Sequence, residues 1–252
     1  MSIEDKAVVS NQYATSSRLE TRISIHEKYS RNKLPFGEWV VSHYDLQPGE
    51  QVLELGCGTG SMWQGMTLPD GCHVTLTDLS AGMLETARQN TAHLCADYAV
   101  CDAMTVPYSA AAFDVVIANM MLYHVPDIDR ALSEIRRVLK PNGRFFAATF
   151  GEHGAVEAVL EMLKLPCSAN HRFTLQNGTA QLEKHFSEIH LIRREDALDV
   201  THLPDLITYL RSMQGMTVLA DLPDDELLAV FSAHLKDGVL SLPKEYGLFI
   251  CT

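Results

Sequence analysis

Short apolar runs alternate with stretches of helical periodicity through most of the chain. Apolar residues three or four positions apart, such as Ile128, Leu132 and Ile135, predict a helix with one buried face. The runs that predict strands lie at 52–55, 73–78, 98–101, 113–118, 144–150, 187–193 and 246–251. Because such alternation is typical of a parallel sheet covered by helices on both faces, the sequence predicts an α/β fold.

Two helical segments are expected outside this pattern. Residues 1–46 predict an N-terminal helical extension, and residues 47–252 a core that holds a helical insertion at about 200–243. The apolar stripes of the insertion are Leu206, Tyr209, Leu210 and Met213, followed by Leu227, Phe231 and Leu235. These stripes are equally compatible with covering a substrate and with packing on the sheet or on a second subunit.

The first predicted strand runs directly into a turn with three glycines, Gly56, Gly58 and Gly60. Glycine allows backbone conformations closed to other residues and lets a ligand lie on the main chain. Residues 61–66 are expected to begin a helix whose free N–H groups face that ligand. Many such turns bind nothing, but Asp78 follows the first glycine by just over ~20 residues, where nucleotide-binding sheets place an acid for ribose hydroxyls.

The glycine spacing is tighter than the Gly-x-Gly-x-x-Gly fingerprint of dinucleotide sites. In addition, Glu54 stands just before the first glycine, where a carboxylate would repel a pyrophosphate and attract an ammonium or sulfonium group. The turn therefore favours a positively charged ligand over a nicotinamide cofactor.

Five motifs along the chain carry a resemblance to a known family. They are VLELGCGTG at 52–60, LTDLSAGML at 76–84, CDAMTVPY at 101–108, FDVVIANMMLYHVPD at 113–127 and RVLKPNGRFF at 137–146. With them the chain resembles the class I S-adenosylmethionine-dependent methyltransferases, in particular their small-molecule branch. Asn142 replaces the second glycine of the family's Lys-Pro-Gly-Gly turn, and asparagine tolerates the same backbone.

The resemblance implies a Rossmann-like, seven-stranded, mostly parallel sheet with an antiparallel edge, an N-terminal helical cover and a helical lid formed by the insertion. It implies S-adenosylmethionine as cofactor and S-adenosylhomocysteine as product. Asp78 would then bind the ribose and Asp102 the adenine amino group, while Met83 would lie on the adenine face or simply pack in the core. The residues expected at the cofactor are Glu54, Gly56, Cys57, Gly58, Gly60, Asp78, Leu79, Met83, Asp102, Ala103 and Asn119.

The segment 119–125 is expected at the transferred methyl group, with His124 facing the incoming nucleophile. Methyl transfer is an in-line displacement, so the protein mainly has to align the reacting atoms. A base is needed only when the nucleophile must lose a proton, and a histidine of near-neutral pKa suits that task. His124 is therefore a candidate base or a substrate-shaping residue, and Tyr123 and His153 are further catalytic candidates.

The expected acceptor is a small, partly apolar molecule. Tyr13, Arg22 and His26 are the polar residues of the N-terminal extension expected near it, and Met213 would supply an adaptable apolar ceiling. Ordinary surface or packing roles are equally compatible with each of them. The sequence leaves open which atom is methylated.

Charge and composition narrow the partners. The formal net charge of −12 and the pI of about 5.3 offer no basic face, which disfavours a nucleic-acid substrate. No apolar run reaches the length of a membrane span, and no secretory signal is evident, so we expect a cytoplasmic monomer or homodimer.

The 6 cysteines form no Cys-x-x-Cys pair, which predicts reduced thiols and no metal site. Two other function classes stay open beside the methyltransferase. One is a nicotinamide-dependent oxidoreductase, and the other is a non-catalytic cofactor-binding or interaction protein that keeps the fold.

Overall fold

Seven strands form one sheet in the computed structural model, which describes residues 17–166, 172–213 and 217–252. The strands are β1 Gln51–Leu55, β2 His73–Asp78, β3 Ala96–Val100, β4 Phe113–Ile117, β5 Leu139–Phe150, β6 Ile189–Val200 and β7 Leu240–Cys251. Their order across the sheet is β3-β2-β1-β4-β5-β7-β6. Strands β1 to β5 pair in parallel, and β7 runs antiparallel to both β5 and β6. The predicted mostly parallel sheet with an antiparallel edge is confirmed.

Helices connect and cover these strands. They are α1 Ser17–Tyr29, α2 Phe36–Val41, α3 Ala81–Asn90, α4 Ile128–Val138, α5 Ala155–Met162, α6 Gly178–Leu182, α7 Leu203–Ser212 and α8 Asp224–Ala233, with 3-10 turns at Ser61–Trp63, Leu122–His124 and Val218–Asp221. Two helix starts have side-chain caps, since Ser80 Oγ accepts from the Met83 N–H at 3.3 Å and Asp127 Oδ1 from the Arg130 N–H at 3.0 Å. None of the described helices is long and apolar enough to cross a membrane.

The central strands are buried on both faces. Val52 and Phe146 pack on one face with Trp63, while Leu53 and Phe145 pack on the other with the apolar side of α4. Burial on both faces explains why these strands appear in the sequence as nearly continuous apolar runs. The sheet is therefore a rigid platform whose carboxyl edge can hold a site.

The antiparallel pair formed by β6 and β7 is longer than the sequence predicted. Each strand has 12 residues, so that the strands expected at 187–193 and 246–251 extend to Val200 and back to Leu240. Charged residues interrupt the apolar pattern in the extension, and three of them, Arg194, Asp196 and Lys244, are buried together as an ion cluster. The apolar residues of α1, α5, α7 and α8 pack in one cluster with the end of β6 and the start of β7.

The prediction of a helix directly after the glycine turn is wrong. The structure has only a 3-10 turn at Ser61–Trp63, followed by irregular chain up to β2. Gly65, Pro69 and Gly71 fall within the next few residues and disfavour continuation of a helix. The Trp63 side chain, which is buried, anchors this short connection instead.

Candidate active site

The glycine turn lies at the carboxyl ends of β1 and β2. Gly56, Gly58 and Gly60 all have positive φ, at 70°, 56° and 69°. The Cys57 N–H donates to the carbonyl oxygen of Thr77 at 2.8 Å, which fastens the turn to the end of β2. Burial raises the pKa of the Cys57 thiol, so this residue is a small neutral member of the turn.

Two of the glycines differ in what surrounds them. A Cβ on Gly56 would lie 2.9 Å from the Cβ of Met121, so this glycine permits close packing against the segment after β4. A Cβ on Gly58 would meet no atom of the described residues within 4 Å. The turn is therefore closed on one side and open on the other, as a main-chain cradle for a ligand requires.

Asp78 joins the turn to the start of α3. Its Oδ2 accepts the Gly58 N–H at 2.9 Å and its Oδ1 accepts the Ser80 N–H at 2.8 Å. Burial raises the pKa of this carboxyl, and the two main-chain N–H groups oppose that effect. Each oxygen keeps a lone pair that can accept a hydroxyl hydrogen bond.

A buried polar cluster lies beside the turn. Glu54 is only 2% exposed; its Oε2 accepts the indole N–H of Trp63 at 2.5 Å, and its Oε1 accepts the Asn119 amide at 3.3 Å. Asn119 also donates to the Tyr44 hydroxyl at 2.5 Å, while its buried Oδ1 has no hydrogen-bond partner among the described residues. Burial raises the pKa of Glu54 to about 7.

The residues expected at an adenine ring lie at the neighbouring strand ends. Met83 and Ala103 are buried, whereas Leu79 is exposed. Asp102 is half-buried, and its Oδ1 accepts the Met104 N–H at 3.0 Å. These side chains, with Asp78 between them and the glycine turn, border one stretch of the carboxyl edge.

Comparison with known proteins identifies the family. Residues 53–147 match the family described as "Methyltransferase domain". The chain is 32% identical to a malonyl-[acyl-carrier protein] O-methyltransferase of Erwinia billingiae over 71% of this chain and 69% of that protein. It is 28% identical to the protein of that name from Serratia marcescens, over 82% of this chain and 78% of the relative.

The chain belongs to the class I S-adenosylmethionine-dependent methyltransferases. Among solved structures, the phosphoethanolamine N-methyltransferase 2 of Haemonchus contortus matches 100% of this chain and 60% of its own, with a TM-score of 0.62 at 19% identity. That likeness shows the fold. The nicotinamide-dependent alternative is not favoured, and S-adenosylmethionine is the cofactor.

The geometry of this methyltransferase fits its cofactor on two observations. The open side of Gly58 leaves room for a ligand on the main chain, and the buried Oδ1 of Asn119 is an acceptor that receives no hydrogen bond from the described part of the chain. An ammonium group of a bound ligand is the kind of donor that such an oxygen lacks. Neither feature is needed for packing of the turn.

The segment after β4 carries Tyr123 and His124 in a 3-10 turn. Their rings lie 4.4 Å apart between centroids, and Tyr123 also packs against Phe150 at 4.6 Å. Burial and, secondarily, the charge of Arg22 lower the pKa of His124 to about 4. The imidazole is therefore neutral at pH 7, and α1, which carries Arg22, lies close to this segment.

The other expected residues are placed less centrally. His153 is exposed, its main-chain N–H donates to Glu245 at 3.0 Å, and it lines a surface pocket together with Tyr246. Met213 is buried in the apolar cluster of α1, α5, α7 and α8. Tyr13 lies outside the described residues.

Three rings come together between α1, α7 and β7. The His26 ring lies 5.9 Å from Tyr209 and 6.0 Å from Tyr246. Burial lowers the pKa of His26 to about 3 and raises the pKa of Tyr209 to about 12; that of Tyr246 is raised as well. All three side chains are therefore neutral near pH 7.

Sequence reasoning missed several residues of these two clusters. Tyr44 and Trp63 gave no signal beyond apolar character: the partner of Tyr44 is Asn119, which is distant in the sequence, and Trp63 reaches Glu54 only through the fold of the glycine turn between them. Tyr246 was expected only as part of a strand. Its register is opposite Phe150 at the carboxyl end of β5, and Phe150 in turn packs against Tyr123.

Proposed function

We propose that the methyl acceptor binds at an acceptor cluster formed by Arg22, His26, Tyr209 and Tyr246. The observation that carries this proposal is the pair of phenols. Among the described residues, the hydroxyls of Tyr209 and Tyr246 have no hydrogen-bond partner, and the Tyr209 side chain is buried. Two neutral O–H donors without a protein partner are suited to an acceptor molecule with hydrogen-bonding oxygens.

The cluster is connected to the methyl-transfer segment. Arg22 acts electrostatically on both His124 and Tyr209, and Tyr246 pairs with Phe150, which packs against Tyr123. An acceptor held by the cluster is therefore next to the segment 119–125. The cofactor supplies a methyl group on a positively charged sulfur, and the protein aligns the nucleophile with it.

We infer that the acceptor is a small, partly apolar molecule that presents a carboxylate. Arg22 supplies the positive charge and Tyr209 and Tyr246 supply neutral donors, a combination that stabilises an anion. Glu157 acts on both phenols with the opposite charge and thereby limits where the anion can lie. The O-methyltransferase names of the relatives from Erwinia billingiae and Serratia marcescens agree with a carboxyl acceptor.

The low pKa values of the two histidines support the same acceptor class. With pKa values of about 3 and about 4, His26 and His124 are weak proton acceptors. A carboxylate is already ionised at pH 7 and has no proton to lose, so it needs no base. In this proposal His124 shapes the site and is not a general base.

We further propose the cofactor contacts. Asp78 accepts the ribose hydroxyls, Asp102 receives the adenine amino group, and Met83 forms an apolar wall on the ring. The main chain of Gly58 supports the cofactor directly, while Glu54 and Asn119 face its positively charged end. The helices α7 and α8 of the insertion act as the cover of the acceptor cluster.

The compartment we propose is the cytoplasm. The described cysteines are free thiols, which fits a reducing compartment.

The test uses radiolabelled S-adenosylmethionine and three matched panels of C4 to C10 compounds, namely monocarboxylic acids, alcohols and amines. We expect methyl transfer to the acids. For the best acid, Arg22→Met should raise KM about 10- to 100-fold, as expected when a charged hydrogen bond is lost, with cofactor affinity kept. Arg88→Met on α3 is the matched control.

Turnover of alcohols or amines in preference to acids would contradict the carboxylate class but leave the acceptor cluster standing. An unchanged KM in Arg22→Met and in Tyr209→Phe would contradict the cluster itself. If no panel member is methylated although S-adenosylmethionine binds, the acceptor class is wrong as stated.

A further inference from the structure

The amino-terminal edge of the sheet, opposite the cofactor site, carries a line of three reactive side chains. Cys95 Sγ lies 3.4 Å from His73 Nδ1, and His73 Nε2 lies 2.9 Å from Asp97 Oδ2. We propose that this Cys95–His73–Asp97 line is a thiol-modification site. Cys95 is the nucleophile, His73 is its base, and the co-reactant is a low-molecular-weight disulfide such as glutathione disulfide.

The backbone register of two strands builds the line. β2 and β3 pair in parallel with Val74 opposite Ala96 and Thr75 opposite Asp97, which sets His73 beside Cys95 where the two strands begin. Side chains alternate between the faces of a strand, so Cys95 and Asp97 share one face. His73 and Asp97 lie within β2 and β3, and Cys95 directly precedes β3, so the start of these two strands sets the arrangement.

The hydrogen bonds assign a role to each side chain. An ionised carboxylate only accepts, so Asp97 takes the Nε2–H of His73 and leaves the lone pair of Nδ1 toward the sulfur. The thiol proton can then pass to Nδ1, and the imidazolium is stabilised by Asp97. A nucleophile, a base and a group that orients the base are the parts that nucleophilic sulfur chemistry needs.

Exposure separates Cys95 from the other cysteines in the described part of the chain. Cys95 is exposed, whereas Cys57 is half-buried and Cys72, Cys101 and Cys251 are buried. Burial raises the pKa of each of these four thiols, which keeps them protonated and unreactive. Selective reaction at Cys95 follows from access and from the neighbouring base.

The reaction balances without a further reagent. The Cys95 thiolate attacks one sulfur of the disulfide, a new S–S bond forms to Sγ, and the original S–S bond breaks. The second half of the disulfide leaves as a thiolate and takes the proton held on His73. Cys95 is oxidised to a mixed disulfide while the departing half is reduced to a thiol.

The experiment incubates the purified full chain with glutathione disulfide at pH 7 and locates the modified cysteine by mass spectrometry. We expect Cys95 to react first. His73→Gln should slow this reaction roughly tenfold, because the variant lacks the base that takes the thiol proton at pH 7. Asp97→Asn should slow it by a smaller factor, and the matched control His93→Gln, which removes another exposed histidine, should leave it unchanged.

The same rates measured at pH 10 separate a lost base from altered access. There hydroxide replaces His73 as the base, so His73→Gln should match the wild-type rate. Equal rates for wild type and His73→Gln at pH 7, first modification of a different cysteine, or a difference that persists at pH 10 would each overturn the proposal. If His73→Gln unfolds, Asp97→Asn decides in its place, since the Asp97 side chain is 76% exposed.

Discussion

Trp63 donates its indole N–H to the carboxylate of Glu54, with 2.5 Å between Nε1 and Oε2. The two residues stand on either side of the glycine turn, so this bond ties the ends of the turn together. Asn119 donates to the second oxygen. Burial outweighs both bonds and raises the pKa of Glu54 to about 7, so this carboxyl changes charge within the physiological pH range.

Glu54→Gln should therefore raise the free energy of unfolding of the cofactor-free protein at pH 8 and change this free energy little at pH 5. The ordinary pKa is 4.5 and the folded value about 7, so the folded state binds the proton more tightly. The free energy of unfolding consequently falls as pH rises from about 4.5 to about 7, by on the order of 3 kcal/mol at ~1.36 kcal/mol per pKa unit. Glutamine stays neutral and avoids this loss.

Thermal unfolding at the two pH values measures this difference, which corresponds to several degrees at roughly 2 to 4 °C per kcal/mol. Glu85→Gln, at an exposed position of α3, is the matched control. An equal shift of Tm for Glu54→Gln at both pH values would contradict the raised pKa.

Asp78→Asn should weaken binding of S-adenosylhomocysteine. The carboxylate already accepts two main-chain N–H groups, and an amide has one accepting oxygen in place of two. We expect a loss of about 10- to 100-fold in affinity, the effect of losing hydrogen bonds to a charged group, measured by titration calorimetry. Asp70→Asn, at an exposed position, should bind as the wild type does, and normal affinity in a folded Asp78→Asn would exclude Asp78 from the ribose site.

The sequence predicted what depends on local pattern. The strand at 52–55 and its glycine turn follow from apolar runs and from glycine spacing, and the caps Ser80 and Asp127 follow from their place before helical periodicity. Each of these features is decided within about ten residues of chain. The resemblance to the methyltransferases extended the prediction to a seven-stranded, mostly parallel sheet with an antiparallel edge.

Features that depend on long-range register were not predicted. Asp196 meets Lys244 only because β6 and β7 pair in this register. Without that pairing, the charged residues of both segments predict an exposed loop. Tyr246 likewise reaches His26 through the antiparallel edge of the sheet. Side chains brought together from distant segments leave no periodic signal in either segment.

The buried ion cluster on β6 and β7 should be important for stability. The Asp196 side chain is 0% exposed, 2.9 Å from Lys244 Nζ and 3.2 Å from Arg194 Nη1. Burial acts to raise the pKa of Asp196. Hydrogen bonds from the Asn32 main chain and from Lys244 outweigh this effect and lower that pKa. The carboxylate thus contributes stability above its ordinary pKa of 3.8, and this contribution is lost as pH falls through the lowered value.

Asp196→Asn should cost roughly 3 to 5 kcal/mol, because it leaves two buried cations without their counter-charge. Asp199→Asn on the same strand is the matched control. Asp199 pairs with Arg31, whose side chain is 62% exposed, and such surface pairs contribute about 0 to 1 kcal/mol. Urea unfolding at pH 7 compares the two, and similar losses for both variants would show that the cluster is not a special contributor.

The open side of the glycine turn provides a direct test of the cofactor site. Gly58 and Gly49 both have positive φ, at 56° and 79°, and a Cβ on either would meet no atom within 4 Å. Alanine should therefore destabilise the fold similarly at both positions, by about 1 to 2 kcal/mol for the left-handed backbone. Only at Gly58 does the added methyl enter the space proposed for the cofactor. We expect Gly58→Ala to lose at least tenfold in affinity for S-adenosylhomocysteine in calorimetry and Gly49→Ala to lose none, whereas equal affinities in the two variants would move the cofactor away from the turn.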